Sequence, residues 1–107
     1  MISIEDFKKV EIKAGKILTA ELVVGSEKLL KLIVDFGEEN PRQVLSGIAK
    51  YIKPKDLIGT SCAFVTNLEP REIMGLKSEA MILAFSDGEL FSLLKILENI
   101  PAGSIAK

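Results

Sequence analysis

Apolar and polar residues alternate in short runs along most of this sequence, and that pattern constrains the fold more than any other feature. The clearest run covers residues 29–36, where one face carries Leu30, Leu32, Val34 and Phe36. Successive side chains of a strand point to opposite faces, so this run predicts a β-strand with one buried face. Further strands are predicted at residues 42–46, 61–68, 81–85 and 90–94.

The first strand is expected to be long and interrupted. Apolar residues alternate with polar ones over residues 10–14 and again over residues 18–24, with Gly15 between the two sets. A glycine inside a strand pattern is typical of a β-bulge or a sharp bend. Gly15 is therefore predicted to form one or the other.

A short helix is expected before this strand. Ser3 can cap a helix that ends at Lys8 or Lys9, because a serine hydroxyl accepts a hydrogen bond from the first helical turn. Ile4 and Phe7 share one face of that helix. The helix is therefore predicted to pack on the domain through these two side chains.

The order of elements predicts an all-β fold, a five-stranded OB-fold barrel with short helices and a C-terminal extension. A long first strand is followed by two strands in a hairpin, by helical turns at residues 47–51 and 54–57, and by two more strands. An SH3-like barrel or a small sandwich is the alternative, although neither ordinarily has a helical insert at this point. Ligands of OB barrels lie on the face of strands two and three, flanked here by loops at residues 25–28 and 67–78.

Length and composition predict a single domain over residues 1–107. A chain of 107 residues can bury its own core but is too short for two ordinary domains. Charges interrupt every apolar run before the roughly 20 residues that a membrane span requires.

Glu5 and Asp6 lie where a secretory signal has basic residues. The single cysteine, Cys62, permits no internal disulfide. A soluble, cytoplasmic protein without membrane contact is expected.

The residue types argue against an enzyme. The sequence has no histidine, so no Ser-His-Asp or Cys-His arrangement can form, and zinc could be bound only by Cys62 with carboxylates. Neither a Gly-x-Gly-x-x-Gly nor a Gly-Lys-Ser/Thr phosphate loop is present. No catalytic residue, metal site or cofactor is predicted.

Residues 67–81 are the best candidate for a working surface. This polar, partly basic segment joins two predicted strands, and loops fixed at both ends commonly carry function. The net charge of the chain is −1, so binding of a polyanion must depend on local arrangement. Basic residues are dense at residues 8–16 and 50–55, a pattern that is also typical of a solvated surface.

Several blocks of sequence, spread in order over nearly the whole chain, give a further indication. They are Ile4-Glu5-Asp6-Phe7, Gly25-Ser26-Glu27-Lys28-Leu29-Leu30, Ser46-Gly47-Ile48-Ala49-Lys50-Tyr51, Asn67-Leu68 with Pro70-Arg71, Met74-Gly75 with Ser78, and Pro101 with Gly103-Ser104. Together they resemble the tRNA-binding domain family, which includes free-standing tRNA-binding proteins and the C-terminal or β-subunit domain of methionyl-tRNA synthetase. The resemblance implies an OB fold, a homodimer, and non-catalytic, shape-directed binding of tRNA at its outer corner, with methionyl-tRNA synthetase as a partner.

The resemblance also implies nine residues at or beside the RNA surface. They are Lys28, Lys31, Arg42, Ser46, Lys50, Asn67, Arg71, Lys77 and Ser78. Arg71 and Lys77 can reach phosphates, and each such contact favours binding by releasing counterions. Asn67 and Ser78 can hydrogen-bond either to sugar and phosphate or to their own loop backbone. With Tyr51 as the single tyrosine, no aromatic platform is predicted, and recognition of shape and phosphate is expected.

Three acids distinguish this loop from the usual pattern of the family. Glu69 stands where members usually have Lys, Glu72 lies near a position that is usually basic, and Glu79-Ala80 replaces a Gln-Gly pair. Each acid repels phosphate, so weak tRNA binding by one chain alone is expected. A dimer, or a subunit docked on a synthetase, would supply a second contact and raise the effective concentration.

Two other functions fit the same sequence. One is an export-related peptide-binding chaperone, which the family implies for some bacterial members. Met74, Leu76 and Met81 would then contact extended peptides, unless they pack in the core or a dimer interface. The other is a structural dimer, in which the apolar tail from residue 93 onwards buries against a partner chain.

Overall fold

The computed structural model describes residues 1–107 and confirms a five-stranded, nearly closed antiparallel barrel of the OB type. The elements are α1 (Ile4–Phe7), β1 (Ile12–Leu22), β2 (Leu30–Asp35), β3 (Arg42–Ser46), α2 (Pro54–Leu57), β4 (Ser61–Val65), β5 (Arg71–Ile73), β6 (Leu76–Ser78), β7 (Met81–Ile82), β8 (Ala84–Asp87) and β9 (Leu90–Leu93). The barrel sheet has the strand order β3-β2-β1-β4-β7, and β5–β6 and β8–β9 are separate hairpins. Next to β7, the Glu79 N–H donates to the Gln43 carbonyl at 2.8 Å, which brings the two edges of the sheet together.

The interior of the barrel is filled by the side chains that alternation predicted. Leu30, Leu32 and Val34 of β2 are completely buried because they lie on the face toward the barrel interior, whereas the residues between them are only partly buried. Phe36 meets Phe64 of β4 edge-on, with 5.1 Å between ring centroids. The predicted helix α2 adds the completely buried Leu57 to the same core.

The packing around Gly15 explains why a glycine stands at this position, and it corrects the prediction of a bulge or bend there. The irregularity of β1 lies at Leu18, where the register with β2 shifts between Ile17 and Thr19. A Cβ added to Gly15 would lie 2.5 Å from Cε1 of Phe36. A glycine is therefore needed because the space inside the barrel is already filled.

The N-terminal helix forms with the predicted cap but ends at Phe7 rather than at Lys8 or Lys9, and none of its residues is buried. Oγ of Ser3 accepts the backbone N–H of Asp6 at 3.1 Å, as expected of a cap. Ile4 and Phe7 are both exposed, so the predicted packing face is wrong. A single turn without a buried residue contributes little to the core.

Three predicted segments differ in the structure. The strand predicted over residues 61–68 ends at Val65, because Asn67 bonds to residues 9–11 through its side chain. The strand predicted over residues 81–85 is divided at Leu83, and residues 67–78 contain a hairpin where a loop was expected.

Neither of the two short helices has the length and apolar composition of a membrane span.

Candidate nucleic-acid interface

The segment between β4 and β7 carries the hairpin β5–β6. Its paired residues are Arg71 with Ser78, Glu72 with Lys77 and Ile73 with Leu76. Met74 and Gly75 form the two-residue turn, with φ of 52° and 77°. Positive φ at both positions is what a type I′ turn requires. Met74 is the one non-glycine residue with positive φ, and it is 58% exposed.

A single guanidinium group joins the two ends of this segment. Nη1 of Arg42 donates to the carbonyl oxygen of Thr66 at 2.7 Å and to that of Glu79 at 3.1 Å. Nε and Nη2 each donate to the carboxylate of Glu38 at 2.8 Å. These bonds lower the pKa of Glu38 and raise the pKa of Arg42, so the pair remains charged. Arg42, a predicted RNA residue, thus has internal partners for its donors.

Asn67 and Ser78 also bond within the protein. Oδ1 of Asn67 accepts the Glu11 N–H at 2.8 Å, and Nδ2 donates to the Lys9 carbonyl at 2.7 Å. Ser78 is buried, and its hydroxyl accepts the Leu45 N–H at 3.0 Å and donates to a neighbouring carbonyl. Both side chains hold the hairpin against the barrel, and contact between either of them and RNA stays a prediction.

Glu11 adds a further tie at the start of the segment. The Thr66 hydroxyl donates to Oε1 of Glu11 at 2.7 Å, and this bond is the main reason why the pKa of Glu11 is lowered. The Lys13 ammonium lies 3.5 Å from the same carboxylate oxygen. The base of the hairpin therefore depends on two ionised carboxylates, those of Glu11 and Glu38.

Four predicted RNA residues are exposed cations without an ion pair, and we call them the cationic rim. They are Lys28, Lys50, Arg71 and Lys77. The Ala49 N–H donates to the Lys28 carbonyl at 3.1 Å, which places Lys50 beside the β1–β2 turn. The same turn meets the hairpin tip, since a Cβ on Gly25 would lie 3.9 Å from Cε of Met74. The rim thus follows connected elements around one face of the barrel.

Lys31 and Ser46, the remaining predicted residues, lie on the strands of that face. Nζ of Lys31 on β2 is 2.8 Å from Oε1 of Glu21 on β1, so this cation is already paired. Ser46 ends β3, is half-buried, and lines a cavity of about 80 Å³ together with Arg71. Lys31 thus offers RNA a cation that is already paired, and Ser46 offers a hydroxyl that is partly covered.

Acids reduce the positive charge of the hairpin. Glu72 is directly opposite Lys77 in the β5–β6 register, and Glu69 lines the small cavity beside Arg71. Glu79 is half-buried, and its carbonyl accepts from Arg42. Nowhere do three or more His, Cys, Asp or Glu side chains come together to hold a metal ion.

A second exposed surface is apolar and lies in the C-terminal third of the chain. Phe85 and Leu90 of the β8–β9 hairpin are 70% and 74% exposed, and Leu97 is 94% exposed. We call these three residues the apolar surface. Leu97 also lines a groove of about 650 Å³, in which the ring of Tyr51 stacks on that of Phe91 with 4.6 Å between centroids.

Sequence reasoning missed the hairpin and the bonds of Arg42. A signal for the hairpin was present, because Gly75 takes the second position of a two-residue turn between Ile73 and Leu76. No local pattern could reveal the role of Arg42, since its carbonyl partners are 24 and 37 residues away in sequence.

The fold and the cationic rim define the class of protein, a small OB-type barrel with cations around the face where such barrels bind ligands. A family model described as a putative tRNA binding domain matches residues 12–105. The chain belongs to this family, and it is a domain of the kind found in methionine–tRNA ligases.

Curated relatives support the same assignment. The chain is 52% identical over 104 residues to the methionine–tRNA ligase of Methanoregula boonei, an overlap of 97% of this chain and 15% of that protein. It is 48% identical over 104 residues to the corresponding ligase of Helicobacter pylori, with 97% and 16% covered. The chain therefore spans about a sixth of the length of these relatives.

Solved structures with the same fold include two of similar length. A MetRS-related protein from Pyrococcus horikoshii has a TM-score of 0.93 and 32% identity, with 100% of this chain and 98% of the other covered. The chaperone CsaA of Bacillus anthracis has a TM-score of 0.88 and 30% identity, with 100% and 99% covered.

Proposed function

We propose that this chain is a non-catalytic tRNA-binding module. The observation that carries the proposal is the cationic rim, in which four exposed cations without ion pairs border the ligand face of an OB barrel. Each cation that meets a phosphate releases counterions and so favours binding. Membership of a tRNA-binding domain family makes tRNA the polyanion that this rim would meet.

We propose recognition through the shape of the tRNA backbone rather than through its bases. Phe36 and Phe64 are buried in the core, and the Tyr51 ring is stacked on Phe91, so the rim has no free aromatic platform. The rim cations lie on a turn, a hairpin and the segment after β3, which the barrel holds at fixed positions. Such an arrangement suits the exposed phosphates at the outer corner of tRNA.

The proposed active form is a homodimer. Large apolar side chains as exposed as Phe85, Leu90 and Leu97 favour burial, and a second copy of the chain would cover them. A dimer would present two rims to one tRNA or to two. Once one rim has bound tRNA, the second rim would be present at a high effective concentration, and its contacts would offset the repulsion from Glu69 and Glu72.

Methionyl-tRNA synthetase is the proposed partner. The relatives in which this domain forms about a sixth of the chain are methionine–tRNA ligases. The chain would act as an accessory or β subunit that holds tRNA while the enzyme performs the reaction. This role implies a cytoplasmic location, with which the reduced, buried Cys62 is consistent.

A second candidate function is peptide binding by an export-related chaperone. Met74 and Met81 are both exposed, and Met81 lines the 80 Å³ cavity beside the hairpin. Methionine side chains adapt to varied apolar partners. The Bacillus anthracis chaperone that shares this fold adds support to this candidate.

Titrations with three ligands separate the two candidates. We would measure binding of total tRNA, an unstructured RNA of equal length and an unfolded polypeptide at several salt concentrations. The rim variants are Arg71→Glu and Lys77→Glu, and Lys55→Glu is the matched control, because it makes the Lys77→Glu change on α2 outside the rim.

We expect a preference for tRNA, with binding weakened about tenfold or more by each rim variant and unchanged in the control. Equal binding of the two RNAs, together with rim variants that bind like the parent, would refute tRNA binding at the rim. A preference for the polypeptide would establish the chaperone function instead.

A further inference from the structure

We infer that Arg42, oriented by Glu38, is a positioning residue that holds the β5–β6 hairpin in its RNA-binding orientation and does not itself contact RNA. The inference rests on the proposed function, because it takes the hairpin as a tRNA-binding element. Nη1 of Arg42 bonds the carbonyls of Thr66 and Glu79, the residues at the two ends of the segment that carries the hairpin. One side chain thus bonds to both ends of this segment.

The hairpin needs such a constraint. Strands β5 and β6 have three residues each and lie outside the barrel sheet. A two-stranded hairpin of this length is marginally stable by itself. Its orientation must therefore come from bonds to the barrel. Gln43 and Leu45 of β3 bond Lys77 and Ser78 of β6, whereas Arg42 bonds both ends of the segment.

Glu38 and Phe36 fix the plane of the guanidinium. The carboxylate of Glu38 accepts two bonds at 2.8 Å, and the ring centroid of Phe36 lies 5.5 Å from Cζ of Arg42. The opposite edge of the group is then aimed at the two carbonyls. A lysine would keep the charge but cannot form this planar, two-sided set of bonds.

The same geometry argues against direct RNA contact by Arg42. Its side chain is 21% exposed, and its donors point to protein oxygens. A phosphate that approached the guanidinium would also approach the carboxylate of Glu38 and be repelled. Arg42 would thus act on RNA only through Arg71 and Lys77 on the hairpin.

Glu38→Gln distinguishes positioning from direct contact, because the two roles predict opposite signs. If Arg42 contacted phosphate, the loss of a nearby negative charge would strengthen tRNA binding. If Arg42 positions the hairpin, the same change weakens binding although it removes a repulsive charge. Glu39→Gln is the matched control, since the neighbouring Glu39 is exposed and forms no side-chain bond in the structure.

The experiment combines hydrogen exchange without RNA and tRNA titration. For Glu38→Gln we expect exchange of the residue 71–78 amides to rise about tenfold and tRNA affinity to fall about tenfold, the size of losing a charge-assisted bond. Arg42→Lys should do the same while the barrel remains folded, as thermal unfolding would show. Glu39→Gln should exchange like the parent and bind tRNA equally or slightly more tightly.

A double-mutant cycle tests whether Glu38 acts through the hairpin. Lys77→Ala should weaken binding less in the Glu38→Gln background than in the parent, which a purely stabilising role of Glu38 would not produce. Tighter tRNA binding by Glu38→Gln, unchanged exchange at residues 71–78, or additive effects in the cycle would each overturn the inference. If the parent shows no preference for tRNA although Glu38→Gln still speeds hairpin exchange, the proposed function fails and the structural role of Arg42 stands.

Discussion

The two hairpins outside the barrel sheet, β5–β6 and β8–β9, differ in what they expose. The first exposes Arg71 and Lys77, and its base is tied to the barrel by Arg42. The second exposes Phe85 and Leu90. Charged side chains can stay hydrated until a polyanion arrives, whereas large apolar side chains in water favour burial against protein. The two hairpins are therefore suited to different partners, the first to nucleic acid and the second to protein, and Lys50 of the rim lines one pocket with Leu90.

The difference has a physical consequence, because salt acts on the two surfaces in different ways. Binding driven by counterion release weakens steeply as salt rises. Association driven by apolar burial does not weaken in this way. Variants on one hairpin should accordingly leave the equilibrium of the other largely unchanged, apart from effects of avidity.

The largest effect is expected from Phe85→Ser combined with Leu90→Ser. Replacing two exposed apolar side chains with small, uncharged polar ones should raise the dimer dissociation constant about a thousandfold, as sedimentation equilibrium would show. The tRNA affinity should then fall about a hundredfold through lost avidity, with the salt slope per protomer retained. A variant that remained dimeric would show that the dimer forms elsewhere.

A smaller effect is expected from Lys77→Ala. The loss of one phosphate contact should weaken tRNA binding about three- to tenfold and reduce the salt slope by about one, with the dimer unaffected. Lys55→Ala on α2 is the matched control for charge and side-chain size. An unchanged slope for Lys77→Ala would remove this residue from the rim.

Acid should destabilise the base of the β5–β6 hairpin. Because the folded-state pKa values of Glu38 and Glu11 are lowered from 4.5, the unfolded chain binds more protons in acid. Their contribution is present above the unfolded value and is lost as pH falls through the lowered pKa values. Thermal unfolding followed from pH 6 to pH 3 should therefore depend less on pH in Glu38→Gln than in the parent. If Glu39→Gln reduced the dependence equally, the effect would not be specific to Glu38.

The smallest effect is expected at the hairpin tip. Met74→Asn places a residue that tolerates positive φ at the turn, so stability should rise by about 0.5 kcal/mol in chemical denaturation. Binding of tRNA should change less than about twofold, since no phosphate contact is lost. A large loss of tRNA affinity would show that the Met74 side chain itself touches RNA.

The barrel was predictable from sequence because its signal is local. Leu30, Leu32 and Val34 are buried as alternation predicts, since the parity of a strand depends only on neighbouring residues. Gly15 was misread because the reason for a glycine there is the Phe36 ring, which lies far away in sequence.

The candidate site was predictable only in part. The exposed cations were found because charge can be read directly from sequence, as in Arg71 and Lys77. Internal bonds were one of the two expectations for Asn67 and Ser78. The partners of Arg42, Asn67 and Ser78 were not predictable, since most lie in segments that only the folded barrel brings together. Polar residues of a functional loop divide into those that face the ligand and those that hold the loop, and sequence does not distinguish the two.

The salt dependence of both equilibria, measured on one preparation of the unmodified protein, tests the central claim most directly. Four rim cations per protomer predict that the logarithm of the tRNA association constant falls with the logarithm of salt concentration with a slope of about −3 to −4 per protomer. The affinity should then drop about a hundredfold between 50 and 200 mM salt. The dimer dissociation constant should stay within about threefold over the same range. A tRNA affinity that hardly changes, or a dimer that dissociates as salt rises, would contradict the assignment of a charged surface to RNA and an apolar surface to a second copy.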